Sequence, residues 1–180
     1  VMNATIQGDA NYYTDLGLKL SGFAGFKRDM FQYYNPPVEI DSLTTSKVNY
    51  NDFTVGAAIQ NYKENNFGID YKLMIEGNFL NSSFAQKNNT FNITGQVNKK
   101  FGESFVLSVG LGSFNDNYKD IDEIKQNYFE LNPVLTYSTG RFKISGGVFV
   151  LSSGSDASIK PDAEVEVGIV ANSLHAFVGA

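Results

Sequence analysis

The sequence predicts an all-β chain, an antiparallel up-and-down meander of about eight strands forming a transmembrane β-barrel, alone or as part of a larger barrel. Three observations carry this expectation. Period-two alternation of apolar and polar residues recurs along nearly all 180 residues, while helical periodicity is almost absent. The connections between alternating stretches run long and short in turn. The apolar faces start or stop on aromatic rings and have aliphatic or glycine middles.

The elements follow in chain order. In 16–27, Leu16, Leu18, Leu20, Gly22, Ala24 and Phe26 oppose Gly17, Lys19, Ser21, Phe23, Gly25 and Lys27. A weaker strand covers 48–61. The clearest case is 67–79, where Phe67, Ile69, Tyr71, Leu73, Ile75, Gly77 and Phe79 alternate with Gly68, Asp70, Lys72, Met74, Glu76 and Asn78. Successive side chains of a strand point to opposite faces, so this segment has one apolar and one charged wall. In 91–98, Phe91, Ile93, Gly95 and Val97 oppose Asn92, Thr94, Gln96 and Asn98. A second weak strand spans 104–113. Strand 129–137 sets Phe129, Leu131, Leu135 and Tyr137 against Glu130, Asn132 and Thr136, and Pro133 in its middle predicts a bulge or a partly unpaired ladder. Strand 142–150 opposes Phe142, Ile144, Val148 and Val150 to Lys143, Ser145 and Gly147. In 163–171, Ala163, Val165, Val167 and Ile169 face away from Glu164 and Glu166.

The long connections are read as 28–47, 80–90, 114–127 and 152–161, the short ones as 62–66, 99–103 and 138–141. Residues 1–180 read as one barrel domain or barrel segment. Asn3–Gln7 fits the tail of a preceding strand, followed by Gly8-Asp9. Asn172-Ser173 fits a turn, and Leu174–Ala180 the opening of a further strand. Such ends favour a segment of a larger barrel over a complete eight-stranded one.

Composition removes several function classes. With 14 basic and 19 acidic residues the net charge is -5, and no basic run exists to bind nucleic acid. The absence of cysteine excludes disulfides and thiolate chemistry, and a single histidine, His175, excludes two-histidine metal sites within this chain. No metal, cofactor or enzymatic activity is expected. No run of about 18 apolar residues is present, so no transmembrane helix is predicted.

In a membrane barrel the apolar wall faces lipid and the polar wall faces the lumen. The predicted lumen-lining residues are Lys19, Asp70, Lys72, Glu76, Glu130, Lys143, Glu164 and Glu166, with Asp52 on the same polar walls. The alternation, the loop parity and the aromatic ends, with rings such as Phe26, Phe67, Phe79, Phe91, Phe129 and Tyr137, together resemble Gram-negative outer-membrane β-barrels. The Asn-, Tyr-, Phe- and Lys-rich texture looks like those of Bacteroidota. The resemblance covers nearly the whole chain and rests on pattern, with no signature motif. The chain departs from it in ending on HAFVGA, without the usual terminal aromatic. It implies location in the bacterial outer membrane, a transport, porin-like or scaffold role, and partners comprising the lipid bilayer and other outer-membrane or periplasmic proteins.

The alternative is a soluble β-barrel or sandwich that binds an apolar ligand or a protein partner, with the same alternation turned inside out. An outer-membrane hydrolase would need His175 and Ser173 coupled to an acid, and no motif surrounds them. Asp116, Asp120, Asp122 and Glu123 crowd 115–125, but the EF-hand frame fails for want of its central Gly and distant Glu. That stretch reads as a solvated acidic loop in which Ile121 and Ile124 suggest one short helical turn. Phe31, Tyr33 and Tyr34, next to Pro36-Pro37, could make a loop platform for a ligand or partner, a plug over the barrel mouth, or a contact with a neighbouring subunit. Gly110 and Gly112 read as packing or bulge glycines. On the membrane reading, Leu73→Arg costs about 2–4 kcal/mol of stability at the bilayer midplane, whereas Met74 accepts a polar residue. Unfolding titrations in lipid vesicles check this, and equal sensitivity at the two positions would refute it.

Overall fold

Alternating side chains over a long run leave every backbone N–H and C=O free to pair sideways. The computed structural model, which describes residues 2–32, 47–83, 86–120, 122–140, 142–170 and 174–179, uses them in one ten-stranded antiparallel sheet of strict meander order. The strands are β1 (Met2–Tyr13), β2 (Leu18–Gln32), β3 (Lys47–Asn61), β4 (Ile69–Ser82), β5 (Lys87–Phe101), β6 (Phe105–Lys119), β7 (Glu123–Thr139), β8 (Phe142–Ser153), β9 (Asp156–Val170) and β10 (Leu174–Gly179). All eight predicted strands are present. Asn3–Gln7 belongs to a full strand that runs straight through Gly8-Asp9, and the segment after residue 173 forms β10. Among the described residues β1 and β10 are the two edges and do not pair with each other, so the sheet is open.

Register gathers the aromatic residues into rows. Phe26, Phe53 and Phe79 are directly opposite across three strands, and the Phe53 and Phe79 rings stack with centroids 6.3 Å apart. At the other border Phe101, Phe105 and Tyr137 are in line, with the last two rings 4.8 Å apart. From Phe91 to Phe101 on β5, ten steps of about 3.3 Å cover about 33 Å along the strand. Tilted about 40°, that becomes about 25 Å, the height of an outer-membrane apolar band.

The two walls differ in exposure. On β4, β5, β8 and β9 the apolar side chains are the more exposed set and the polar ones are half-buried. Leu73, Ile75, Phe91, Leu111, Leu135 and Ile144 are each 40–48% exposed. Side chains fan apart on the convex side of a curved single layer and crowd on its concave side, so the sheet curls with its polar wall inward. Val48 is the only fully buried apolar side chain among the described residues. The total surface, 13019 Å², compares with about 8,600 Å² for an ordinary folded monomer of this mass. Among the described residues this sheet has no apolar interior.

The long loops are the main correction. At 80–90, 114–127 and 152–161 the strands continue through polar sequence: β4 runs to Ser82 and β5 starts at Lys87, β6 runs to Lys119 and β7 starts at Glu123, and β8 and β9 close in a short turn at 154–155. Gly154 takes the positive φ, 60°, of the last turn. Of 28–47, residues 28–32 belong to β2, residue 47 opens β3, and 33–46 lie outside the described residues. A strand of 15 residues is longer than the 9–11 that cross a bilayer, so the excess stands beyond one border of the apolar band. The opposite rim carries the turns at 14–17, 62–68 and 102–104, and there β7 ends at Thr139 and β8 starts at Phe142. There Asn65 Oδ1 accepts from the amides of Phe67 and Ile69, and Asn61 Oδ1 accepts from the Tyr71 amide at 2.7 Å.

Pro133 keeps its place in the β6–β7 ladder opposite Val109, but on the β8 side pairing lapses at Asn132 and Pro133 and resumes at Val134↔Gly147 without a shift of register. Gly147 lies against this gap, and a Cβ there would press into the Pro133 carbonyl and Val134. Its neighbour Gly146 points to the open side with nothing within 4 Å. Gly147→Ala therefore destabilises the sheet by about 1–3 kcal/mol while Gly146→Ala is close to neutral, as urea unfolding of the two variants checks.

Candidate functional site

The concave wall is built by register. Lys19, Gln60, Lys72, Gln96, Gly110 and Asn132 form one row across β2 to β7. Asp70 lies in the next row with Asn98, Ser108 and Val134, and Glu76 shares a row with Asn92, Phe114 and Tyr128. Glu130 is opposite Gly112 and Leu151, while Lys143 is opposite Glu166. All eight residues predicted for the lumen thus share one wall, as does Asp52.

Of these, Lys143, Glu164 and Glu166 come together. Lys143 Nζ lies 3.4 Å from Glu164 Oε1 and 3.7 Å from Glu166 Oε2. Of the remaining charges, Lys19 and Lys72 share a row, and Asp70, Lys72 and Glu76 follow one another on β4. Asp52 accepts a hydrogen bond of 2.7 Å from Asn78, which also donates to Thr54. Lys72, Gln96, Glu130 and Asn132 line a hollow of about 290 Å³ together with Phe114 and Phe149. Asn132 donates across β8 to Asp162 at 2.9 Å. An ammonium, carboxylates, amides and two rings around one hollow can hold a small polar solute.

The sequence places Phe23 on the polar face of its strand, but Phe114, in a stretch read as a loop, and the glycines that seat both rings escaped it. Phe23 lies over Gly56 and Phe114 over Gly112, where a Cβ would collide with each ring, and Phe114 stacks on Tyr128 at 4.9 Å and 17°. The signal was present in Gly112 and Phe114, two apart on one face, and in Phe23 opposite Gly56 in register.

Other predicted positions fall elsewhere. Phe31 ends β2 opposite the buried Val48 and meets Tyr50 edge-on at 5.9 Å; Tyr33 and Tyr34 lie outside the described residues. His175 pairs with Gly168 on β10, and Ser173 lies outside the described residues. Of the 115–125 stretch, the residues up to Lys119 lie in β6 and those from Glu123 in β7, paired in register where a loop is predicted, and Ile121 lies outside the described residues. Ile124 is in β7, and the Asp120 amide donates to the Asp122 carbonyl at 3.1 Å. Among the described residues no three carboxylate or imidazole side chains gather as a metal site would require.

At this hairpin Asn117 Nδ2 donates to Glu123 Oε1 at 3.1 Å and Lys125 Nζ lies 3.2 Å away. The amide bond first, and the ammonium second, hold the Glu123 carboxyl below its usual range. A lowered folded-state value means that its contribution to stability is present above the unfolded value and is lost as pH falls through the folded one. Asn117→Ala returns Glu123 toward the ordinary glutamate range, an upward shift that a carboxyl NMR titration reads.

No protein-family model matches the chain, and no curated protein matches it in sequence. Among solved structures it is similar to the siderophore receptor PirA from Pseudomonas aeruginosa, with a TM-score of 0.73 and 12% identity. The match covers 98% of this chain and 32% of that one, so the chain spans about a third of the receptor's length. The likeness is one of fold: an all-β meander of antiparallel strands, similar to part of an outer-membrane β-barrel protein.

Proposed function

We propose that this sheet is a stretch of wall of an outer-membrane transport barrel, its convex apolar face against lipid and its concave charged face along a solute passage. One observation carries the reading: the apolar side chains between the aromatic rows are the exposed set. Water penalises such a face, and hydrocarbon stabilises it. The open edges agree, because a sheet in lipid must pair every edge group, so β1 and β10 meet further strands of the closed barrel. The fold shared with a siderophore receptor supports uptake of a recognised solute over unselective diffusion. The wall holds and steers that solute without transforming it. The Asn-, Tyr- and Phe-rich texture suits a Bacteroidota-type outer membrane.

The full-length protein should leave membranes with detergent only and migrate on gels in a heat-modifiable way. Glu130→Lys on the concave wall should keep that behaviour and change solute uptake about several-fold, since lumen charges tune selectivity. A folded, buffer-soluble monomer would overturn the reading.

A further inference from the structure

We propose that the concave hollow over Gly110 binds a zwitterionic short peptide, two or three residues long; this names the solute of the transport reading above and rests on it. The space exists because β6 carries glycine there, and a Cβ at Gly110 would meet nothing closer than 3.8 Å. At about 290 Å³ the hollow is at the small end for a ligand site. Phe114 of β6 and Phe149 of β8 flank it. Among the described residues that line it two are charged, Lys72 on β4 and Glu130 on β7.

Those two charges select the ligand. Among the described residues neither Lys72 nor Glu130 makes an ion pair or a side-chain hydrogen bond. The carboxylates flanking Lys72 along β4 do not occupy it: Asp70 accepts from Asn61 at 3.1 Å, and Glu76 stands beyond Met74. Glu130 Oε2 leans over Gly112 of β6. From there to β4 is two strand spacings, about 10 Å, part of which the lysine stem covers. An extended dipeptide spans about 7 Å and a tripeptide about 10 Å, whereas a single amino acid, about 3.5 Å long, reaches one charge only. The peptide carboxylate meets Lys72 and its terminal ammonium meets Glu130. Between them Gln96 and Asn132 have given their amide nitrogens to Asn98 and Asp162, at 3.4 and 2.9 Å, and so present carbonyl oxygens to the peptide N–H groups. An apolar side chain of the ligand fills the space between the rings. A saccharide leaves both charges unmatched, and a simple anion or cation matches one of them.

Isothermal titration calorimetry of the full-length protein in detergent tests this with four probes: the dipeptide Ala-Leu, its N-acetyl form, its C-terminal amide and maltotriose. Free Ala-Leu should bind about tenfold or more tightly than either blocked form, since each block removes one hydrogen bond between charged groups. Lys72→Gln should abolish the discrimination against the amide and keep that against the N-acetyl form, and Glu130→Gln should do the reverse. Gly110→Leu, which fills the hollow, should remove binding, and Lys63→Gln on the rim should leave it unchanged. Equal affinity for free and blocked dipeptide, unaltered discrimination in the two charge variants, or maltotriose bound more tightly than Ala-Leu would each overturn the proposal. Heat-modifiable migration of the same samples separates the two levels. If the wild type shows it without preferring the free dipeptide, only the substrate class has failed; if the wild type is buffer-soluble, the transport reading fails as well.

Discussion

A backbone amide or carbonyl left unpaired in hydrocarbon costs several kcal/mol, because no water is there to take its place. On the membrane reading proposed above, the rest of this molecule is arranged around that constraint. Among the described residues nine antiparallel ladders, each between chain neighbours, pair the backbone of ten strands without a helix or a second layer. Stability ordinarily drawn from an apolar interior is absent among the described residues, where one valine is fully buried. The ladder carries the sheet, and the side chains decide which medium touches each side of it.

This division explains the curl. Rings at the borders, Phe26, Phe53 and Phe79 on one side and Phe105 and Tyr137 on the other, need room and find it on the convex face. The concave face is crowded, so it alternates small with large: Gly56 under Phe23, Gly112 under Phe114. Glycines on this wall make space for rings, and polar side chains fill what remains.

Much of this was legible in the residues. The run Phe67–Phe79 declares its two walls by chemistry alone, and the eight predicted lumen residues share one face because a strand admits no other parity. Illegible were the strands through Asn115–Lys119, Glu123–Gln126 and Asp156–Lys160. There both faces are polar or nearly so, hence no alternation marks a strand, and pairing is inherited through the ladder from the apolar part below. Of the polar-wall rings, Phe23 and Phe149 fall on that face by parity alone, but Phe114 lies in a stretch without alternation, and only register shows the glycines that seat Phe23 and Phe114.

Pro133 and Pro161 both lie at the level of Val148, one in the strand on either side: pairing with β8 lapses at the first, and the second faces Val148 without an N–H to give. Along this line through β7, β8 and β9 the backbone ladder is interrupted, and Gly146 and Gly147 immediately precede Val148. A wall with such a crease bends more easily there than along any stretch of uninterrupted ladder. The cross-section of a barrel containing it therefore has one built-in compliant corner, a place where its outline can yield to a passing load while the strands to either side keep their shape.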